Sequence, residues 1–515
     1  MACKNYLAGS THQPGFLLNK AKTCTQEHLA FLLQKKGFDR YCPLHGKGGM
    51  ELLQNIETLS RDKFGIATLR AYQRLVIYEI LENEQSQSVD HKGMLVVLPT
   101  GSGKSICFML PSLIIEGITL IIYPLLALMN DQIRRFERLK IECVCIRGGQ
   151  TKGQRLVLWK KIESGQAKIL VTNAECMRTQ QVLSELLRYS IHLVVVDEAH
   201  TVVQWGQSFR PSYQALGDIL SVLQAKQILA FTATASERII SELKLSLFKG
   251  RSIHIIKASA DRQNIKLHTC PTLSKSHSIA TILQDASHRP AVVFCPTRLT
   301  TEIYARQFYN THPHIATRYY HAGLGKAQRQ NLENWFFERD SAVLFSTCAF
   351  GMGVDKNNIR TVIHLSLPCE VESYLQESGR AGRDNLESDA YALIDCKDLQ
   401  TNKDNPLLAV MNQTETCLRK GLLSLMGEDM ENCSGCDVCN HHVFPLRDGE
   451  KQILTAVRLR KFHYSPVALA RLLCITGHDS QSGILREWTV RQVQEAIMNL
   501  IHEGKLRLMF HKLVL

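Results

Sequence analysis

Between Phe64 and Ala258 short apolar runs alternate with amphipathic stretches, and this rhythm constrains the fold more than any other feature of the chain. The runs Met94–Leu98, Thr119–Tyr123, Lys168–Thr172, Leu193–Val196 and Gln227–Phe231 are nearly continuous in apolar residues. Strands of that kind are buried on both faces, as in a parallel sheet covered by helices on either side. A second series follows, Ala291–Cys295, Ala342–Ser346, Thr361–Leu365 and Ala390–Asp395. Two similar α/β units in tandem predict two lobes with a cleft between them. After Asp395 the strand rhythm stops, giving way to a cysteine-rich segment and a mainly helical tail.

The first 60 residues show no clear theme. Thr25 to Lys36 fits a short amphipathic helix with Leu29, Leu32 and Leu33 on one face, ending near Gly37. Cys42 and His45 have no matching pair and read as incidental.

Bulk properties narrow the function. With 45% hydrophobic and 21% charged residues, a chain of 515 residues is globular and long enough for two to four domains. Its 61 Lys and Arg against 48 Asp and Glu leave a net charge of +13, which favours a phosphate-rich partner. The longest apolar stretch, Ile118 to Met129, is too short for a bilayer and contains Pro124. The 17 cysteines, with no export signal, predict a reduced intracellular protein rather than a disulfide scaffold.

Chemistry concentrates in a few places. Leu98-Pro99-Thr100-Gly101-Ser102-Gly103-Lys104-Ser105 follows a strand and precedes an apolar helix. Such a glycine loop closes its backbone N–H groups around phosphate, with Lys104 on the β and γ phosphates and the Ser105 hydroxyl on magnesium. The strand Val194–Val196 ends in Asp197-Glu198-Ala199-His200, a pair of carboxylates at the edge where α/β sites sit. Asp197 would hold magnesium, and Glu198 would orient or deprotonate the attacking water. Phe231-Thr232-Ala233-Thr234 ends another strand facing the same cleft. The stretch Gln204-Trp205-Gly206-Gln207-Ser208-Phe209-Arg210-Pro211 suits a single-stranded nucleic acid. In the second unit, Arg380 and Arg383 stand three apart in Gln376–Asp384, where they could clamp a γ-phosphate across the cleft. Cys417, Cys433, Cys436 and Cys439 have the spacing of a closed tetrahedral zinc site, with His441 and His442 beside it. In the tail, Ser465-Pro466 opens a helix over Val467–Leu473, Thr489 caps another from Val490 to His502, and Lys505–Phe510 alternates like a strand.

These motifs, in this order, resemble the RecQ family of DNA helicases over about Phe64 to Cys439. Phe64-Gly65 with Arg70 and Gln73 looks like the opening motif, whose glutamine reads adenine. Tyr123 to Gln132, Tyr320 to Leu324 and Ala349 to Lys356 look like further family motifs, the last placing Asp355 at the nucleotide. The resemblance implies an α/β fold of two tandem RecA-like lobes, followed by a zinc-binding module and a winged helix. It implies ATP and Mg2+ between the lobes, bound by Arg70, Gln73, Thr100, Gly101, Ser102, Gly103, Lys104, Ser105, Asp197 and Asp355. It gives Gln204, Trp205, Phe209 and Arg210 the coupling of DNA to hydrolysis, Arg380 and Arg383 the phosphate contact, and the four cysteines Zn2+.

The implied enzyme is an ATP-dependent 3′–5′ DNA helicase of repair, recombination or fork maintenance. Its partners would be DNA with a single-stranded 3′ tail, forks and branched structures, with single-strand-binding protein and repair factors beside it. It would act as a monomer, away from membranes, in a bacterial cytoplasm or a eukaryotic nucleus. The alternative is a DNA-stimulated ATPase that remodels or anneals DNA without processive unwinding. The chain departs from the family at Gln207-Ser208, where His-Asp is usual, at Ala174 for proline and at Asn385 for glycine. The layout expected is an N-terminal extension to 60, lobe 1 over 61–260, lobe 2 over 261–398, the zinc module over 399–445 and the winged helix over 446–515.

Overall fold

Two parallel sheets carry the chain, as the two series of apolar runs require. In the computed structural model, the described residues are 47–86, 92–99, 101–206, 211–351, 356–413, 415–441, 447–475 and 481–514. The segment Thr25–Lys36, Cys42 and His45 lie outside them. The chain divides into two compact units, one ending at Val76 and one running from Ile77 to Leu515. In the first, the helix Lys47–Phe64 occupies a stretch that its sequence did not mark, because Gly48 and Gly49 open it.

In the second unit, the first sheet contains β1 (Lys92–Val97), β2 (Ile118–Ile122), β3 (Cys143–Cys145), β4 (Ile169–Thr172), β5 (Ile191–Val196), β6 (Gln227–Thr232) and β7 (Ile253–Lys257). Their order is β3-β4-β2-β5-β6-β1-β7, all parallel. β5, β6 and β1 are therefore neighbours, with Val196 opposite Ala230 and Val97 opposite Thr232. That register lines up the three motif-bearing strand ends. The second sheet contains β8 (Ile265–Pro271), β9 (Ala291–Phe294), β10 (Thr317–Tyr320), β11 (Val343–Ser346), β12 (Thr361–His364) and β13 (Ser388–Ile394). Its order is β10-β11-β9-β12-β13-β8, again parallel. Helices cover both sheets, and each lobe has its own core.

β8 is an edge strand, and the cysteine segment covers it. Leu267 pairs with Cys436: its N–H donates to the Gly435 carbonyl at 3.4 Å, and the Asp437 N–H donates to the Leu267 carbonyl at 3.2 Å. Three helices follow, Glu450–Leu459, Pro466–Cys474 and Val490–His502, then the hairpin of β14 (Arg507–Met509) and β15 (Lys512–Val514). This is a winged-helix arrangement around one core. The expected single strand is a hairpin because Phe510 and His511 both take positive φ, 50° and 61°, which turns the chain sharply without the usual glycine or asparagine. The helix Val490–His502 docks on the second lobe. Its Glu495 accepts from the Lys275 N–H and the Ser274 and Ser276 hydroxyls, placing a carboxylate at the N-terminus of the helix Lys275–Gln284.

Candidate nucleotide site and cysteine cluster

The loop after β1 turns on Gly101 and Gly103, with φ of 76° and 78°. Side chains rarely accept that conformation, so the glycines let the backbone curl at the head of the helix Ile106–Ile114. Lys104 folds back over the loop, its Nζ 3.5 Å from the Leu98 carbonyl and 4.0 Å from Glu198 Oε1.

Asp197 and Glu198 leave β5 beside it. Asp197 is buried, and its N–H donates to the Ile122 carbonyl at 3.0 Å. Burial, then the neighbouring Glu198 charge, pushes its carboxyl up to about 7. Burial also acts against Glu198, yet Lys104, His200, Arg380 and Arg383 together outweigh it and hold its carboxyl low. Glu198 also sits at φ 49°, a strained backbone for a non-glycine residue. The strain turns the chain directly from strand to helix at His200–Gly206. His200 lies 3.0 Å from the Thr232 hydroxyl, which donates to the Thr234 carbonyl at 2.9 Å. Burial depresses the His200 pKa against the pull of Glu198, and the ring links the strand ends of β5 and β6.

The second lobe contributes the helix Val371–Ser378 and the turn after it. Arg380 is 4% exposed, and a methyl placed on Gly101 would lie 3.5 Å from Arg383 Cγ. Arg383 thus reaches the phosphate loop of the first lobe, and Arg380 acts on Glu198 beside it. Asn385 takes φ 64°, so asparagine serves where glycine is usual. Two further contacts cross between lobes, Arg134 to Gln330 at 3.1 Å and Arg238 to Glu370 at 3.1 Å.

Of the other expected site residues, Arg70 and Gln73 lie in the first unit, where the Gln73 side chain accepts the Arg70 N–H at 2.9 Å. Gln204 and Trp205 lie in the helix His200–Gly206. Thr100, Asp355, Phe209 and Arg210, with Gln207 and Ser208, fall outside the described residues. Tyr213 was not anticipated. It is buried, and its hydroxyl donates to the Pro124 carbonyl at 2.9 Å, tying the end of the aromatic stretch to the segment after β2. Arg262, Asn264 and Arg419 were also missed. Their partners lie far along the chain, and local pattern carries no signal of that.

The four cysteine sulfurs all lie within 4.8 Å of one another, and Cys417 and Cys436 are 3.9 Å apart. Four sulfurs about 2.3 Å from one zinc stand about 3.8 Å apart, so the cluster fits that ion. It is a zinc-binding site, and the phosphate-loop fold is an ATP-binding one.

Beside the cluster, His268 bridges Asp389 at 2.7 Å and Asp437 at 2.6 Å and stacks on Tyr391. Burial opposes its charge, but the two carboxylates prevail and push its pKa up to about 9. The folded value lies above the unfolded one of about 6.5. The stabilisation is therefore complete below about pH 6.5 and is lost as pH rises through about 9. The shift corresponds to about 3 kcal/mol. Zinc-loaded His268→Gln should have a lower urea midpoint than the wild type at about pH 6.5, with the gap closing by about pH 9.5. A gap that ignores pH would remove the charged triad.

The sequence pattern of DEAD/DEAH box helicases matches residues 70–243, and that of the helicase conserved C-terminal domain matches 274–385. The chain is 30% identical over 477 residues to the ATP-dependent DNA helicase RecQ of Pasteurella multocida (strain Pm70), covering 87% of this chain and 74% of that protein. The chain belongs to the RecQ family of ATP-dependent DNA helicases. The RecQ protein of Haemophilus influenzae is 31% identical over 476 residues, covering 86% and 74%, and that of Bacillus subtilis 28% over 494, covering 89% and 81%. Among solved structures, the DUF1998 helicase MrfA bound to DNA superposes with a TM-score of 0.56 at 17% identity, covering 89% of this chain and 58% of that one. DEAD-box helicase Mss116 bound to ssRNA and UDP-BeF gives 0.55 at 17%, covering 92% of each. At these identities the likeness shows the fold shared by this RecQ-family enzyme. Among the described residues, no helix is long and apolar enough to cross a membrane.

Proposed function

We propose that this RecQ-family helicase moves 3′ to 5′ along one DNA strand, driven by hydrolysis of magnesium ATP between its lobes. The observation that carries the reading is the setting of Glu198, which feels Lys104 from its own lobe and Arg380 and Arg383 from the other. Three cations converge on the carboxylate best placed to orient a water, as hydrolysis of a polyphosphate requires. Ser105 and Asp197 would hold magnesium, which supplies charge to the β- and γ-phosphate oxygens. Lys104 neutralises the phosphates from the loop. Glu198, kept ionised, takes the proton of the attacking water. Arg380 and Arg383 reach the γ-phosphate when the lobes close, so hydrolysis and opening are one cycle.

The domain layout read from the sequence, with lobe 1 over 61–260, lobe 2 over 261–398, the zinc module over 399–445 and the winged helix over 446–515, is proposed with it. So are Gln204, Trp205, Phe209 and Arg210 as the link to DNA, and 3′-tailed, forked or branched DNA as substrate.

The hairpin favours strand separation over remodelling without unwinding. Phe510 at its tip is 89% exposed, with Leu508 and Met509 also open and Arg507 and Lys512 on the two strands. An exposed apolar tip between cations suits insertion at a duplex junction, where unstacking a step costs a few kcal/mol. Phe510→Ala should keep DNA-stimulated hydrolysis within about two-fold and lower the unwinding rate about ten-fold or more. Equal losses of both would reassign the tip to folding.

The deciding experiment compares duplexes with a 3′ or a 5′ single-stranded tail, with hydrolysis followed in the same tubes. Separation of the 3′-tailed duplex alone supports the proposal. Separation of the 5′-tailed duplex alone overturns the polarity, and stimulated hydrolysis without separation favours the remodelling or annealing ATPase.

A further inference from the structure

The segment from β7 to β8 passes from one sheet to the other. Within it, Arg262 spreads its guanidinium over the turn that carries Arg380 and Arg383. Its Nη1 donates to the Gly379 carbonyl at 3.3 Å and its Nη2 to the Gly382 carbonyl at 2.8 Å. These carbonyls flank Arg380 and Ala381 and lie at the C-terminal end of the helix Val371–Ser378, where a cation is favoured. Asn264 Nδ2 donates to the same Gly382 carbonyl at 2.8 Å and to that of Leu386 at 2.9 Å. The turn fits closely, since any Cβ on Gly382 would collide with the Asn264 amide. The Arg262 guanidinium is also beside the phosphate loop. A methyl on Gly101 would stand 3.8 Å from its Nη1.

What holds Arg262 comes from the cysteine segment. Arg419, on the helix that starts after Cys417, is 2% exposed. It donates to the Asp261 carboxylate, to the Arg262 carbonyl at 3.2 Å, to the Ile265 carbonyl and to the Gly435 carbonyl at 3.1 Å. Further on, Glu428 accepts from the Ser259 hydroxyl at 2.9 Å and the Ala260 N–H at 3.0 Å. One continuous set of bonds therefore runs from the zinc-binding segment, through the crossing segment, to the backbone of the phosphate-facing arginines.

We infer that Arg262 is a positioning residue for Arg380 and Arg383, and that the zinc segment holds it in place through Arg419 and Asp261. The inference rests on the reading of Arg380 and Arg383 as γ-phosphate contacts. A guanidinium fork can grip two carbonyls at once, whereas lysine, as a point charge, cannot bridge them in the same way. The geometry of the arginine pair thus depends on a module that itself stands outside the nucleotide cleft.

The test uses the zinc-loaded full chain with saturating single-stranded DNA. It measures kcat and KM for ATP, zinc per chain and DNA affinity for Arg262→Gln, Arg262→Lys and Asp261→Asn, with Arg380→Ala as reference. Arg262→Gln should lower kcat about 10- to 100-fold, with KM within about two-fold and zinc and DNA binding unchanged. Arg262→Lys should recover only part of that loss, and Asp261→Asn should lower kcat several-fold at full zinc content. A merely structural role would reduce the folded fraction and leave kcat per zinc-loaded molecule unchanged, which would overturn the inference. Should Arg262→Gln fail to fold, the lysine variant carries the test. If Arg380→Ala is inactive while Arg262→Gln and Asp261→Asn turn over normally, the positioning role alone falls. If Arg380→Ala itself turns over normally, the underlying assignment of the arginines falls with it.

Discussion

Replacing Lys104 with alanine should lower kcat for ATP about a thousand-fold and leave affinity for single-stranded DNA nearly unchanged. Two effects combine. The phosphates lose the ammonium that the loop presents, and Glu198 loses the strongest of the positive neighbours that keep it ionised. A carboxylate this buried rises once its partner is removed, and a protonated Glu198 can neither orient nor deprotonate water. Phosphate release with saturating DNA measures the first quantity, and fluorescence anisotropy of a labelled oligonucleotide the second. Turnover above about a tenth of the wild-type rate would refute the role given to Lys104.

Removal of zinc should be the other large effect. Cys436 is 1% exposed within the second lobe's core, beside Leu418, Leu422 and Tyr374. Structural zinc contributes about 10–16 kcal/mol where metal binding and folding are one event. That is comparable with the whole stability of a typical domain, about 5–15 kcal/mol. Cys436→Ser, or chelation of the wild type, should therefore unfold the segment from Cys417 to Cys439 and uncover β8. An open edge strand recruits other chains, so soluble protein should fall steeply. Zinc content by elemental analysis and amide exchange along β8 would follow both changes. A zinc-free wild type with unchanged exchange at β8 and full solubility would exclude the structural metal.

The strands that carry motifs were legible because parallel, doubly covered strands are written as unbroken apolar runs. Lys92–Val97 and Ile191–Val196 differ from the sequence reading by at most two residues at either end. Ile253–Lys257, Ile265–Pro271 and Thr317–Tyr320 escaped notice because polar residues interrupt them. Cys143–Cys145 is too short to register. In the site, the loop glycines, the carboxylate pair, the two arginines and the cysteines could be named because each chemistry demands a fixed local spacing. The left-handed Glu198, the grip of Arg262 on two carbonyls and the burial of Arg419 could not. The first belongs to the path of the backbone out of β5, and the other two arise from packing between segments more than a hundred positions apart, where identity at any one position says little.

The order of the first sheet has a consequence for how this protein is made. β1, the first strand of that sheet to leave the ribosome, lies between β6 and β7: Lys92 is bonded beside Gln227, and Gly93 beside Ile253. The phosphate loop is thus written early but framed late, since one flank of its strand is not made until Thr232 and the other not until Lys257. Until β6 is made the nascent lobe displays an apolar ribbon with both edges bare, a state that invites wrong partners and that chaperones exist to shield. Codon changes or pauses that delay synthesis between Val97 and Gln227 should therefore lower the yield of active enzyme, whereas the same delays beyond Lys257 should spare the first lobe.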